Sequence, residues 1–491
     1  MNFFATFFEN LLSNPDFIGV FNDTASLVAL NLALGFYLIT ALQWFGYKLV
    51  RVGLHFTRFS WHIYFAFAPW FVYIVLGRFF LIYAALFWLP FLYLWHRKLD
   101  KKLVWTKKVW VFAVFLGFFT AIFAFLGVKF AFRANILPLI CALLALKIFD
   151  LAQKRYYLGL AKRKIASMPQ LTIILITASY GKTSIKNFLF ECLRRDFATY
   201  KSPRSVNTLL GIAADINGEL PQNAQIYIAE AGAREPGDIL DITRLLNPQI
   251  CIVGEIGQAH LEYFKSEQNI RATKLEALQS TRLQRAFCHS STLQNASENC
   301  EIYDKALKSV NASLDGLEFE LEIAGQNEKF STNLLGDFNA ENLCAAVLCA
   351  HFLGVNLSAL KNAVAQMPSV EHRLQIISKS PKFIIDDGFN GNFKGMSASY
   401  RLCAGYAGRR VLVTPGIAEV SERQNAELAG IINECFDLVI IIGELNSRVL
   451  SANLSVEKIV LRDKALLVQT LAERTQAGDL VLFSNDTPSF M

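Results

Sequence analysis

The chain has 491 residues, 53% of them hydrophobic and 13% aromatic, with a formal net charge of +7 and a mean hydropathy of +0.33. The length suggests about three domains, and the apolar balance excludes an ordinary, wholly water-soluble enzyme. The nine cysteines form no C-x-x-C pair, so neither a zinc site nor a disulfide framework is indicated.

Residues 1–24 carry Glu9, Asp16 and Asp23 and no Lys or Arg, so they lack the basic start of a cleaved signal peptide. Apolar runs follow at 25–47, 60–77, 79–95, 109–127 and 135–150. Each approaches the roughly 20 residues that a membrane span needs. Only Gly77 and Arg78 join the second run to the third, which predicts a tight helical hairpin or one long kinked segment. Trp44, Trp61, Trp88, Trp95, Trp105 and Trp110 fall near run ends, as an interfacial aromatic belt requires. Up to residue 164, loops 48–58, 96–108 and 154–164 hold most of the Lys and Arg, whereas the alternate loops hold only Arg78, Lys129 and Arg133. The positive-inside rule makes the first set cytoplasmic. The expectation is a transmembrane region of about five spans over 1–150, a basic linker over 151–170, and everything beyond in the cytoplasm. This pattern assigns the basic excess to membrane topology rather than to nucleic acid. The runs are nearly free of ionisable residues, which favours an anchor or a lipid- or partner-docking surface over a pump.

Residues 171–186 read LTIILITASYGKTSIK. The β-branched run to Thr177 predicts a buried parallel strand, a tight turn follows, and apolar residues at helical spacing continue after it. A strand, a turn and Gly-Lys-Thr opening a helix make a phosphate cradle of backbone N–H groups and helix dipole. Ser179, Gly181, Lys182, Thr183 and Ser184 are its candidate nucleotide residues, with Lys182 on the outer phosphates and the Thr183 hydroxyl on Mg²⁺. Downstream, IYIAE ends in Glu230, and QICIVGEIG leads into a loop holding His260. Strands that end in such groups beside a phosphate loop are where a doubly wound sheet collects its chemistry; both residues are metal candidates. Asn339 and Asn342 open a helix. A strand then feeds D-D-G-F-N-G-N from Asp386 to Asn392, and four further strands are expected at 409–415, 437–444, 456–461 and 479–484. That tail predicts a smaller α/β domain, with the break near 367–368.

In this order the motifs resemble the Mur ligases of peptidoglycan synthesis, over about residues 171–491. TASYGKTSIK is similar to the family's phosphate loop, with Ala178 where Gly is usual. EAGAREPGDI resembles the motif whose Glu, here Glu230, binds Mg²⁺, and IGQAHLEYF the one whose His, here His260, lies at the metal. Lys274 matches the lysine that CO₂ carboxylates in the family to help hold a second Mg²⁺. GDFNAEN supplies Asn339 and Asn342 along the nucleotide, with Phe338 in place of His. EHRLQ supplies Arg373. IDDGFNGN resembles the loop of the D-alanyl-D-alanine-adding branch: Asp387, Asn390 and Asn392 carry over, while Gly388 and Phe393 replace Ser and Pro.

The resemblance implies a P-loop central domain over 171–367 and a Rossmann-like C-terminal domain over 368–491. It implies ATP, two Mg²⁺ ions and a carboxylated Lys274. Its catalytic set is Lys182, Lys274, His260 and Asp387. Nucleotide contacts include Asn339, Asn342, Arg373 and Asp387, metal contacts include Thr183, Glu230, His260 and Lys274, and substrate contacts include Asn390 and Asn392. The implied activity joins D-alanyl-D-alanine to a UDP-muramoyl-tripeptide through an acyl phosphate, on the bacterial inner membrane with the catalytic domains in the cytoplasm. Membrane lipid and membrane-bound cell-wall synthesis proteins are the expected partners. A membrane segment stands where the family has a soluble domain gripping UDP, so a lipid-linked substrate and UDP binding by other surfaces both remain open. The other readings are a ligase for a different muropeptide, a transporter or sensor driven by a cytoplasmic ATPase, and a non-catalytic scaffold, which Ala178 and Phe338 permit.

Overall fold

The computed structural model describes residues 15–47, 52, 59–99, 101–130, 135–257, 264–389, 391–417 and 420–484. It forms two compact units, Met1–Tyr156 and Tyr157–Met491.

The first unit is helical. Pro15–Trp44 is one 30-residue helix. Ile18–Trp44, Ser60–Arg97 and Lys107–Phe130 are long and apolar enough to cross a membrane. Ser60–Arg97 is not straight, however. The Trp61 and Trp95 rings lie 5.6 Å apart and those of Phe65 and Trp95 5.3 Å, whereas 34 residues of straight helix would separate the ends by roughly 50 Å. The stretch folds back at Gly77, whose φ of 52° only glycine adopts cheaply. It is therefore the tight hairpin, with arms of roughly 25 Å each. The apolar run at 135–150 forms the first half of the Leu137–Ala166 helix.

The unit has two distinguishable ends. Gln43 donates to the Val104 carbonyl at 2.7 Å, and Lys108 pairs with Asp150 at 2.5 Å, at the same end as Trp61 and Trp95. Ser26 lies by the Arg78 carbonyl at the hairpin turn. The aromatic-belt expectation needs correcting for two residues. Trp88 and Trp95 are buried, with Trp88 packed on Phe80 within the hairpin and Trp95 on Tyr37 of the first helix. Trp105 and Trp110 are exposed.

The second unit holds two six-stranded sheets and one three-stranded sheet. In the first, β1 (Thr172–Thr177), β2 (Thr199–Lys201), β3 (Ile226–Glu230), β4 (Ile250–Val253), β5 (Arg285–Cys288) and β6 (Cys300–Ile302) run parallel in the order β2-β3-β1-β4-β5-β6. Ile173, Ile174, Leu175 and Ile176 of β1 are fully buried, as a strand covered on both faces requires. The strand read through residue 257 ends at Val253, and 254–257 form an irregular segment.

β7 (Leu307–Ser313), β8 (Gly316–Ile323) and β9 (Gln326–Thr332) form an antiparallel meander, which the sequence reading missed. The last sheet has β10 (Gln375–Ser378), β11 (Phe383–Asp386), β12 (Arg410–Thr414), β13 (Leu438–Ile442), β14 (Glu457–Leu461) and β15 (Leu480–Phe483). Its order is β10-β11-β15-β12-β13-β14, and only β10 pairs antiparallel. The stretch read as a linker, 151–170, is helical to Ala166, and its Leu158, Ala161 and Ile165 pack into the core beneath the first sheet.

Candidate active site

The carboxyl ends of β1, β3 and β4 meet at the centre of the first sheet, where the strand order reverses, and chemistry collects there. β1 feeds the turn 178–181, and the helix Lys182–Leu193 starts at Gly181 with φ 77°. Glycine is required twice over: the left-handed backbone disfavours a side chain, and a Cβ would overlap the Asn342 amide. Ala178, which stands where Gly is usual, is accommodated. It is fully buried and not at positive φ, and its methyl lies over Gly254, where a second Cβ would come within 2.9 Å. Ser179 is pinned at both ends: its N–H donates to the Glu255 carbonyl at 2.8 Å and its hydroxyl to the Gly257 carbonyl at 3.1 Å. The Lys182 ammonium donates to the Ala178 and Ser179 carbonyls at 2.9 and 3.3 Å.

Glu230 ends β3 and is 1% exposed. Its carboxylate accepts from the Thr183 hydroxyl at 2.9 Å and from Asn207 at 3.2 Å, and it pairs with Lys186 at 3.2 Å. Thr183 and Lys186 are three apart on one helix face, so both reach it. A buried carboxylate beside a hydroxyl is an all-oxygen donor pair that suits Mg²⁺. Ser184 is buried behind Thr183.

Lys274 lies on Glu267–Leu275 and is 4% exposed. Burial, reinforced by the Lys182 charge and opposed by Asp238, Glu230 and Glu276, lowers its pKa to about 7. A large share of the amine is therefore neutral at neutral pH. Burial also lowers Lys182, with Glu230 opposing and Arg373 adding; Arg373 thus faces the same charges.

Asn342 and Asn339 bond to each other at 3.3 Å, and Asn339 donates to the Leu335 carbonyl at 2.8 Å. Only Asn342 reaches the phosphate turn. Phe338 packs with Leu335 and Leu374 in the core around the β10–β15 sheet, the second lobe of this unit, instead of facing the turn. Arg373 donates to the Phe389 carbonyl at 2.9 Å and stacks over that ring at 4.7 Å. Both neighbours of Arg373 have positive φ, His372 at 57° and Leu374 at 49°, each costing on the order of 1–3 kcal/mol. The Asp387 carboxylate accepts from the Leu374 N–H at 3.2 Å and the Ser399 hydroxyl at 2.9 Å, which fixes that strained turn. Burial raises its pKa, with Ser399, Arg373 and Leu374 offsetting. Asn392 caps the helix Phe393–Ala404 by accepting from Gly395 at 2.9 Å, so its amide oxygen is committed to the fold. His260 and Asn390 lie outside the described residues.

Lys186, Asn207 and Glu276 were missed. The signal for Lys186 was its place one helical turn after Lys182. Glu276 accepts from Gly237 at 2.8 Å and Leu240 at 2.9 Å, capping the helix Asp238–Leu246 that follows β3.

A family profile described as the Mur ligase middle domain matches residues 176–350, a span that takes in the end of β1, the phosphate turn, Glu230, Lys274 and Asn342. Over those residues the chain is similar to the Mur ligase family. The chain is 26% identical over 337 residues to the Bacillus subtilis UDP-N-acetylmuramoyl-tripeptide--D-alanyl-D-alanine ligase, covering 63% of the chain and 72% of that protein. It is 25% identical over 270 residues to the Escherichia coli protein of the same name, covering 52% of the chain and 60% of that protein. In fold it matches a MurF ligase from Thermotoga maritima in complex with ADP. The TM-score is 0.60 at 22% identity, over 67% of the chain and 79% of that structure.

Proposed function

We propose that this chain is an ATP-dependent amide ligase that joins D-alanyl-D-alanine to the terminal carboxylate of a UDP-muramoyl-tripeptide. The observation that carries the reading is the convergence of Thr183, Glu230, Lys186 and Lys182 at the mouth of β1, with Lys274 in electrostatic reach. The names of the sequence relatives supply the substrates.

The substrate carboxylate attacks the γ-phosphorus of ATP in line, ADP leaves, and an acyl phosphate results. The deprotonated amine of the dipeptide then attacks the acyl carbon, phosphate leaves, and an amide forms. Lys182 swings from its two carbonyls onto the transferring oxygens, and the backbone N–H groups after Gly181 hold the adjacent phosphate. Thr183 and Glu230 would hold Mg²⁺, which would supply charge neutralisation to the phosphoryl transfer. Lys186 holds the Glu230 carboxylate in place through their ion pair. The neutral amine of Lys274 would add to CO₂ and release one proton to solvent, and the resulting carbamate would be available as an anionic metal ligand. Arg373 and Asp387 bring the second lobe to the nucleotide and exclude water from the acyl phosphate. His260 and Asn390 complete the metal and substrate contacts in this reading.

The first unit is read as a membrane region of about five passes, counting the hairpin as two, with the basic loops cytoplasmic. That location is the cytoplasmic face of the inner membrane, where lipid and other membrane-bound cell-wall synthesis proteins are the neighbours.

The test is ADP release and amide formation by the detergent-solubilised full chain with ATP, D-alanyl-D-alanine and UDP-muramoyl-tripeptide. Lys182→Ala should abolish both. Lys274→Ala should lose activity that added short-chain carboxylates partly restore. Full activity in Lys182→Ala would sink the phosphate-loop role, and insensitivity at Lys274 would remove the carbamate.

A further inference from the structure

We infer that Lys394 is a positioning residue that latches the second α/β lobe onto the phosphate turn through Glu255. The inference rests on the ligase reading only in that closure of the two lobes precedes chemistry.

Lys394 is the second residue of the helix Phe393–Ala404, directly after the Asp-Asp-Gly-Phe-Asn-Gly-Asn loop. Its ammonium donates to the Glu255 carboxylate at 2.6 Å, across 139 residues of chain. Glu255 lies in the segment after β4 that holds the turn. Its carbonyl accepts from the Ser179 N–H, the Gly257 carbonyl accepts from the Ser179 hydroxyl, and the Ile256 N–H between them donates to the Ser291 hydroxyl at 2.8 Å. The helix that follows the substrate loop is thus one ion pair away from the clamp on the phosphate turn.

The socket is acidic beyond its first partner. Glu341 and Asp337 also face the Lys394 charge, so an opened lobe would take that cation away and leave Glu341 with His289 at 3.5 Å. The pair is also solvent-accessible, with the lysine side chain 60% and the glutamate 24% exposed. Exposed pairs add little to folding stability, but a near-balanced opening equilibrium responds to small differences. That combination suits a contact made and broken in each turnover, rather than a strut.

Dyes on the two lobes, at the exposed positions Asn327 and Ala472, report closure when MgATPγS is added to the full chain. They enter as clickable unnatural residues, because the nine cysteines preclude thiol labelling. Kinetic constants are measured in parallel at low and at 1 M salt. Lys394→Gln and Glu255→Gln should each reduce the closed fraction and raise KM for the dipeptide by about two- to fivefold, with the melting temperature unchanged. High salt should have the same effect on the wild type and little on the variants. The double exchange Lys394→Glu with Glu255→Lys should restore closure. No closure in the wild type, unaltered closure in the single variants, or a failed exchange with an intact melting temperature would each overturn the latch. If closure depends on Lys394 but no ligation occurs with any muropeptide, the latch stands and the substrate assignment falls.

Discussion

Glu230 is the residue on which the site turns, and its environment explains why. A carboxylate that is 1% exposed is costly to bury unless its oxygens are satisfied, and Thr183, Asn207 and Lys186 satisfy them. Glu230→Ala would strand the equally buried Lys186 ammonium. The expected loss is about 3–5 kcal/mol of stability, measured by denaturant unfolding, together with loss of MgATP binding. A variant that melts like the wild type would show that the pair is hydrated in solution. His289 gives a pH-dependent counterpart. Burial disfavours its charge, but Glu341 at 3.5 Å, Asp304 at 3.9 Å and Glu255 outweigh burial and raise its pKa above 6.5. The His289 contact lowers Glu341 below 4.5, against burial. Nδ1 meets the Ser291 hydroxyl at 2.8 Å, and the Tyr303 ring packs on the imidazole. A raised histidine stabilises fully below its unfolded value and ceases to as pH rises through its folded value. A depressed glutamate stabilises above its unfolded value and ceases to as pH falls through its folded one. The pair therefore contributes most between about pH 4.5 and 6.5. His289→Gln should cost about 1 kcal/mol at pH 5.5 and markedly less at pH 9. A pH-independent cost would sink this account. Glu230 was legible because a carboxylate ended an apolar run; Lys186 was marked only by its place one helical turn after Lys182, and His289 was not legible, since its carboxylate partners are distant in sequence.

Among the elements, those carried by continuous apolar runs were the easiest to read. β1, β3, β12 and β13 are buried along nearly their whole length, and such runs leave no other placement in a soluble unit. β8 was equally legible and passed over: Leu317, Phe319, Leu321 and Ile323 alternate and are all buried, the period-two pattern of a one-sided sheet. β2 and β10 were not legible. They are short and only partly buried, and they form through edge pairing. The phosphate turn is the element whose geometry is most tightly determined. In Gly181→Ala, positive φ and overlap with Asn342 act together, so an expected loss of about 1–3 kcal/mol should accompany loss of nucleotide binding. Adding Asn342→Ala removes the overlap but not the backbone strain. The double variant should therefore regain part of the melting temperature and none of the affinity. Full recovery of both would mean that φ at this position is freely adjustable.

On the scale of the whole molecule, each unit carries its own core. Leu30, Tyr37, Phe80, Trp88 and Phe112 centre one. The clusters around the first sheet and the second lobe belong to Tyr157–Met491. The end of the Leu137–Ala166 helix belongs energetically to the ligase unit, because Ala161 is fully buried there with Leu158 and Ile165 packed against the same cluster. The basic residues Lys154, Arg155, Lys162, Arg163 and Lys164 interrupt its apolar ones and hide that role in the sequence, which is why it read as a linker. The consequence is testable by truncation. A fragment beginning at 157 keeps all three residues and should unfold in one cooperative transition. A fragment beginning at 166 loses them, and removal of buried Leu, Ala and Ile side chains should cost several kcal/mol. With MgATP at about 100 times its Kd, the longer fragment should gain about 2.7 kcal/mol, and Lys182→Ala should cancel the gain. Equal stability of the two fragments would detach the helix end from the ligase core. A nucleotide response in neither fragment, with both folded, would mean that the phosphate turn needs the first unit to bind.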